Sequence, residues 1–184
     1  MRANGSKIMK VEARINWDEL FMGIAALASR RSKDPNTKHG SCIVDKENKV
    51  ISIGYNGMVN GNDVDYTWSR EPIDGMVKYD FILHSEENAI LNATRSVKDA
   101  IIFVYSEKAY FPCSNCMKTI LQSGIKEIVL SDIIDTNTDK YNWKPTLYMA
   151  KVSGITIRNI GKKDSKASFL KIAEEFKTMA GMLG

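Results

Sequence analysis

His84-Ser85-Glu86 and Pro112-Cys113-Ser114-Asn115-Cys116 are the two stretches that decide how this chain of 184 residues folds and what chemistry it carries. Because Cys113 and Cys116 are three positions apart, a helical first turn places both sulfurs on one face. One imidazole and two thiolates are ligands that zinc prefers. Three protein ligands also leave the fourth tetrahedral position open for water, as in catalytic sites. The two stretches therefore predict a catalytic zinc site formed by His84, Cys113 and Cys116.

Glu86 follows His84 by two positions, close enough to contact the zinc-bound water without binding the metal. Zinc lowers the pKa of such a water to about 7, which supplies a nucleophile at neutral pH. Glu86 would accept the water proton, protonate N3 of a pyrimidine under attack at C4, and later protonate the departing ammonia. His-x-Glu followed by Pro-Cys-x-x-Cys is the signature of zinc nucleobase deaminases. The sequence therefore predicts hydrolytic deamination with Glu86 as the proton shuttle.

Other interpretations of the same residues remain open. A redox-active Cys-x-x-Cys pair would leave His84 and Glu86 unexplained. A structural zinc would need a fourth ligand, for which the sequence offers only His39 or Cys42. We expect His39 to be a packing or surface histidine and Cys42 a core residue. Glu87 is expected to be solvated or to lie on a helix face.

Composition limits the class of partner. Hydrophobic residues make up 43% and charged residues 26%, with a net charge of +4 and no long basic run. A deaminase of bases within nucleic acid, such as a tRNA-editing enzyme, would need a basic and aromatic groove for single strands, and no such cluster is evident. A zinc-stabilised module without activity is the third class. No apolar run reaches the roughly 20 residues of a membrane span, and no apolar signal core is present, so a cytoplasmic protein is expected.

Helical and strand patterns alternate along the chain. Residues 1–10 are interpreted as a polar leader, disordered or left over from cloning, and residues 11–184 as one deaminase domain. Alternation of this kind predicts an α/β fold, a three-layer α/β/α arrangement with a five-stranded mixed sheet. The predicted helices are 17–31, 85–95, 114–123, 147–152 and 167–179. The predicted strands are 41–44, 50–53, 101–105, 125–130 and 155–158.

The chain resembles the deoxycytidylate (dCMP) deaminase family over nearly its whole length. Besides the two zinc stretches, the resemblance rests on Arg-Ser-Lys-Asp-Pro-Asn at 31–36, Gly-Tyr-Asn-Gly-Met-Val-Asn-Gly at 54–61 and Gln-Ser-Gly-Ile-Lys-Glu at 122–127. The zinc stretches occur throughout the deaminase superfamily, whereas 31–36 and 54–61 are more specific to the dCMP branch. The resemblance implies a cytidine deaminase-like fold and the conversion of dCMP to dUMP.

The resemblance also implies substrate contacts. It places Asn56 at the sugar, and Asn36 and Lys38 near the substrate phosphate. From the residues alone, Asn56 is also a typical turn residue within Tyr-Asn-Gly, and Lys38 fits a solvated loop equally well.

Regulation is a further implication of the resemblance. Family members are activated by dCTP with Mg²⁺ and inhibited by dTTP at a subunit interface, and they are typically homohexamers. The segment 58–70 corresponds to that effector site, and its glycine permits close approach of backbone to phosphate. The candidate effector-binding residues are Asn60, Gly61 and Asp65.

The chain departs from the family pattern in several places. Ser85 replaces a usual alanine, Glu87 a usual leucine and Val59 a usual proline. We expect the change at Ser85 to matter little. The segment 105–111 is a few residues longer than the family leads us to expect, and it is predicted to reshape the pocket beside Pro112.

Overall fold

The computed structural model describes residues 15–108, 110–132 and 143–161. The predicted leader 1–10 and the predicted helix 167–179 lie outside these residues. Within them, the helices are α1 (Trp17–Ser29), α2 (Ser85–Leu91), α3 (Ser114–Gln122) and α4 (Lys144–Ser153). The strands are β1 (His39–Val44), β2 (Val50–Tyr55), β3 (Gly57–Met58), β4 (Ile82–Leu83), β5 (Ile101–Ser106), β6 (Glu127–Leu130) and β7 (Thr156–Asn159).

A mixed sheet of five strands in the order β2-β1-β5-β6-β7 forms the centre of the fold. Strand β1 pairs antiparallel with both β2 and β5, whereas β5, β6 and β7 run parallel. The parallel half is connected through α3 and α4, as crossover connections require. The predicted α/β fold with a five-stranded mixed sheet is confirmed.

The two faces of the sheet carry separate apolar cores, because neighbouring strand residues point to opposite sides. On one side Cys42, Val44 and Phe103 pack against α1. On the other side Ile43 and Ile102, with further strand residues, pack against α2 and α3. The fold therefore has three layers, with α1 on one face and the helices that follow Ser85 and Ser114 on the other.

Two glycines let the helices lie unusually close to the sheet. A Cβ at Gly40 would stand 2.0 Å from the carbonyl oxygen of Ala25 in α1. A Cβ at Gly54 would stand 2.4 Å from the carbonyl oxygen of Ser85 in α2. Only glycine fits at these positions, and the contact at Gly54 fixes the first turn of α2 against β2. The start of α2 is the part of the fold that carries His84 and Glu86.

The observed boundaries differ from the predicted ones at several ends. Helix α1 stops at Ser29 rather than 31, and α2 stops at Leu91 rather than 95, where Asn92 and Thr94 have low helix propensity. Helix α4 is longer than predicted, because Pro145 suits the first turn of a helix. The predicted loop after residue 58 contains short 3₁₀ turns and is followed by β4, which pairs with β3. Nowhere in the described ranges is a helix both long enough and apolar enough to cross a bilayer.

Candidate active site

Three potential metal ligands meet where α2 and α3 begin. His84 directly precedes α2, Cys113 caps the N-terminus of α3, and Cys116 lies in the first turn of α3. The Nδ1 atom of His84 is 3.2 Å from the Cys116 sulfur and 3.5 Å from the Cys113 sulfur. The two sulfurs are 3.4 Å apart. The fold therefore brings together the three residues that the sequence predicted as ligands.

The geometry of this trio fits tetrahedral zinc. Zinc–sulfur bonds of about 2.3 Å and zinc–nitrogen bonds of about 2.0 Å place the ligand atoms about 3.6–3.8 Å apart, within a few tenths of an ångström of the distances found. In the described ranges no other histidine, cysteine or acidic residue joins the group. Cys42 is buried in the α1 core, where burial raises the pKa of its thiol to about 12. Neither His39 nor Cys42 supplies the fourth ligand that a structural zinc requires.

The protonation states of the three side chains are coupled to one another. The hydrogen bond from Cys116, which outweighs burial, lowers the pKa of Cys113 from 9.0 to about 4. The hydrogen bond to Cys113 likewise raises the pKa of His84 to about 9. The pKa of Cys116 is raised well above its usual value, first by the hydrogen bond between Cys116 and Cys113 and then by burial. At neutral pH Cys113 is therefore a thiolate, whereas His84 and Cys116 keep their protons. A divalent metal that binds the three side chains would displace those protons.

Glu86 faces the same cavity as His84 and Cys113, a space of about 320 Å³. Its side chain is only 1% exposed. The phenol of Tyr110 donates to Oε1 at 2.6 Å, and the hydroxyl of Ser85 donates to Oε2 at 2.9 Å. Glu87, by contrast, is half-buried, and its carboxylate accepts a bond from the backbone N–H of His84 at 3.4 Å. The carboxylate available for proton transfer is therefore that of Glu86.

A buried ion pair forms another wall of the cavity. Lys78 Nζ lies 2.5 Å from Asp34 Oδ2, with the two side chains only 3% and 2% exposed. Asn56 donates to the same carboxylate and to the carbonyl of Thr37, and its Oδ1 accepts from the backbone N–H of His39. Burial opposes ionisation of Asp34, but its hydrogen bonds with Lys78 and the backbone outweigh burial, so its pKa is lowered. No spacing pattern in the sequence signalled the pair.

Of the three predicted substrate-binding residues, the structure places one on the cavity wall and two outside it. Asn56 lines the cavity, although its amide is engaged by protein groups. Asn36 is exposed, and the amine of Lys38 donates to the carbonyl of Ser32; neither residue is among those that line the cavity. The cations that do line it, besides Lys78, are Arg70 and Lys108. Lys108 lies in the long segment 105–111, which the sequence predicted to reshape the pocket, whereas Arg70 ends the segment 58–70, which was assigned to effectors and not to the substrate.

Two of the three candidate effector residues line a second cavity, of about 520 Å³. Asn60 and Gly61 lie on its wall in left-handed backbone conformations, with φ of 56° and 66°. Asp65 is not on this wall, and its carboxylate accepts a bond from the side chain of Asn62. The other charged wall residues are Arg31, Lys33 and Asp63.

His39 is a cavity residue that sequence reasoning assigned to packing or the surface. Its ring lies 4.8 Å from that of Tyr110, centroid to centroid, on the wall of the Glu86 cavity. The buried Nδ1 atom has no hydrogen-bond partner among the described residues. Burial, the largest influence, lowers the pKa of His39. A lone histidine beside a glycine carries no motif, so no sequence pattern indicated that His39 lines the cavity.

The fold has three layers, and a His/Cys/Cys trio lies where two of its helices begin. A glutamate that is not a ligand lies beside the trio. These features together define the class of zinc-dependent nucleobase deaminases. Residues 15–132 match the family model of the cytidine and deoxycytidylate deaminase zinc-binding region. The chain belongs to this family, and it is a deaminase.

Individual relatives agree with the family match. The chain is 40% identical over 159 residues to deoxycytidylate deaminase of Pongo abelii, covering 83% of this chain and 84% of that protein. It is 39% identical over 155 residues to deoxycytidylate deaminase of Mus musculus, with the same coverage. The solved dCMP deaminase of the cyanophage S-TIM5, in complex with dCMP and dUMP, superposes with a TM-score of 0.60 at 23% identity. That superposition covers 80% of this chain and 99% of the phage protein, and supports the fold.

Proposed function

We propose that this protein converts dCMP to dUMP by hydrolysis, using a zinc ion held by His84, Cys113 and Cys116. The observation that carries the proposal is the cavity that Glu86 shares with His84 and Cys113, two members of the ligand trio. Relatives about 40% identical over most of the chain bear the name deoxycytidylate deaminase, which supports the choice of substrate.

In the proposed mechanism, His84, Cys113 and Cys116 would hold a zinc ion that would lower the pKa of a water to about 7. Glu86 accepts the proton of that water as its oxygen adds to C4 of cytosine, and passes the proton to N3. The glutamate then takes the proton of the new hydroxyl on C4 and delivers it to the amino group, so the C4–N bond breaks as the C4=O bond forms, and ammonia leaves a uracil ring. The cavity excludes bulk solvent from Glu86, so the proton moves only between carboxylate and substrate.

Positive charge at the cavity favours a phosphorylated substrate. Arg70 and Lys108 are the cations best placed for the phosphate, because both line the cavity, and Lys78 is already paired with Asp34. Asn36 and Lys38 reach a phosphate there only if the loop before β1 rearranges. Asn56 remains the proposed sugar contact, from a position already fixed by His39, Asp34 and Thr37.

Steady-state comparison of dCMP, CMP, deoxycytidine, dCTP and a stem-loop RNA tests the substrate. We expect the highest kcat/KM with dCMP, by at least about tenfold over deoxycytidine, since a charged hydrogen bond contributes about 1.5–3 kcal/mol. RNA as the better substrate would indicate an editing enzyme. Equal kcat/KM values for dCMP and deoxycytidine would show that Arg70 and Lys108 do not bind the substrate phosphate.

We also propose that the second cavity binds the regulatory nucleotides dCTP, with Mg²⁺, and dTTP. Arg31 offers positive charge for a triphosphate, and the ion pair of Lys33 with Asp63 at 2.6 Å would open to give the phosphates an amine and a magnesium ion a carboxylate. The left-handed turn at Asn60 and Gly61 turns backbone towards the same space. Homohexameric assembly remains a prediction from the family resemblance, and a cytoplasmic location remains a prediction from the sequence.

If the protein is regulated in this way, its rate should depend sigmoidally on the dCMP concentration. Added dCTP with Mg²⁺ should make this dependence hyperbolic, and added dTTP should lower the rate. Arg31→Ala should raise the dCTP concentration for half-maximal response by about tenfold or more, because a charged contact to phosphate is lost. Hyperbolic kinetics that neither triphosphate changes would refute the regulatory proposal and leave the catalytic one intact.

A further inference from the structure

The Glu86 carboxylate is held from both of its oxygens by residues that are not metal ligands. Tyr110 donates to Oε1 at 2.6 Å and Ser85 donates to Oε2 at 2.9 Å. Rotation of the carboxylate about its terminal torsion would break both bonds at once. Each carboxylate oxygen accepts up to two hydrogen bonds, so one acceptor site on each remains for water and substrate.

Both supports are themselves fixed. Ser41 in β1 donates to the Ser85 hydroxyl at 2.9 Å, which leaves the single Ser85 proton for Glu86, and both serines are fully buried. The backbone N–H of Tyr110 donates to the carbonyl of Asp132 after β6 at 3.0 Å, and its ring packs on His39. The carboxylate is thus connected to two strands of the sheet through side chains on either side of it.

Both of these residues lie where this chain departs from the usual sequence of the family that it resembles. Ser85 stands where a small alanine is usual, and Tyr110 lies in the segment 105–111, which is longer than usual. We expected Ser85 to matter little, but its hydroxyl is a donor to the catalytic group. An alanine at 85 or a phenylalanine at 110 would leave one oxygen of Glu86 without its bond.

We propose that Tyr110 and Ser85 are positioning residues that hold Glu86 in the orientation needed for proton transfer. This inference rests on the proposed deamination. A general base must lie within hydrogen-bond reach of the proton that it accepts. Fixing both oxygens keeps the carboxylate at that distance throughout turnover, and bonds to a charged acceptor are about twice as strong as neutral ones.

The test compares Tyr110→Phe and Ser85→Ala in the zinc-loaded protein with two controls on α4, Tyr148→Phe and Ser153→Ala. Both control side chains are exposed and outside the cavity. We expect Tyr110→Phe to lower kcat about 10- to 100-fold and Ser85→Ala about 3- to 30-fold. The KM should stay within about twofold and the zinc content at the wild-type value, since the hydroxyls of both residues donate to Glu86 and not to a ligand atom.

A double-mutant cycle separates positioning from a general structural role. In a Glu86→Gln background, measured in single-turnover reactions over long times, Tyr110→Phe should cause no further loss, because its effect passes through Glu86. An equal loss in both backgrounds would overturn the inference, as would a raised KM at unchanged kcat or a loss of zinc.

The outcome is independent of the exact substrate. Each variant is compared with wild type on whichever cytosine nucleotide or nucleoside the wild type deaminates best. Wild-type failure on dCMP would refute the proposed function, whereas wild-type kcat in both Tyr110→Phe and Ser85→Ala would refute only the positioning role.

Discussion

Glu86→Gln is expected to abolish turnover, with kcat reduced by a factor of about 10²–10⁴ or more, while zinc and fold are retained. Glutamine has the same shape but cannot accept a proton at neutral pH, so water, N3 and leaving ammonia all lose their proton carrier. Glu86 is not one of the ligand atoms, which leaves His84, Cys113 and Cys116 intact. The measurements are kcat on dCMP and zinc content by elemental analysis of the same preparation.

Glu87→Gln is the matched control, since it makes the same substitution at the adjacent position. Among the described residues, Glu87 accepts only a long bond from the His84 backbone, and it does not line the cavity. Its loss of activity should be no more than about threefold. A Glu86→Gln protein that keeps a tenth or more of wild-type kcat with full zinc would refute the proposed mechanism.

The layers of the fold could be predicted because their signals are local. Runs such as Ser-Cys-Ile-Val in β1 and Ile-Ile-Phe-Val in β5 are continuous apolar stretches, as expected for strands covered on both faces. Helix ends were predicted less well, because they depend on capping and on the low propensities of a few residues beyond Leu91. The ligand trio was predictable for a similar reason: its spacing within a first helical turn is itself the chemical requirement.

The cavity walls could not be predicted, since they are made by residues distant in sequence. Lys78 and Asp34 are 44 positions apart, and Tyr110 and Glu86 are 24 apart. The loop before β1 shows why the choice of Asn36 did not match the cavity. Asp34 Oδ1 accepts hydrogen bonds from the backbone N–H groups of Asn36 and Thr37, which forms a local turn. In this turn Asp34 is buried and Asn36 is exposed. The family resemblance pointed to this loop, in which Asp34 and Thr37 line the cavity whereas Asn36 does not.

Lys78→Met is expected to lower the free energy of unfolding by about 3–5 kcal/mol, the usual cost of removing one partner of a buried ion pair. Lys78 and Asp34 are 3% and 2% exposed, so solvent does not screen the charge left behind on Asp34. Urea unfolding at neutral pH measures the change. Lys33→Met is the matched control, because Lys33 also pairs with an aspartate at 2.6 Å but is 69% exposed. Its cost should be about 1 kcal/mol or less.

The pH dependence of the same variant has a definite sign. The pKa of Asp34 in the folded wild type lies below its ordinary value of 3.8, so its ionisation stabilises the protein above about pH 4 and ceases to do so as the pH falls further. In Lys78→Met the unpaired carboxylate destabilises the fold at neutral pH, and its protonation in acid relieves that cost. Because burial without a partner raises the pKa of Asp34 in the variant, the gap between variant and wild type should begin to narrow as the pH falls from 7 towards 4. It should narrow further below about pH 4, where the wild type loses its own stabilisation. An added Asp34→Asn change should narrow it at pH 7. A gap no larger than that of Lys33→Met, or independent of pH, would show that the buried pair contributes little to stability.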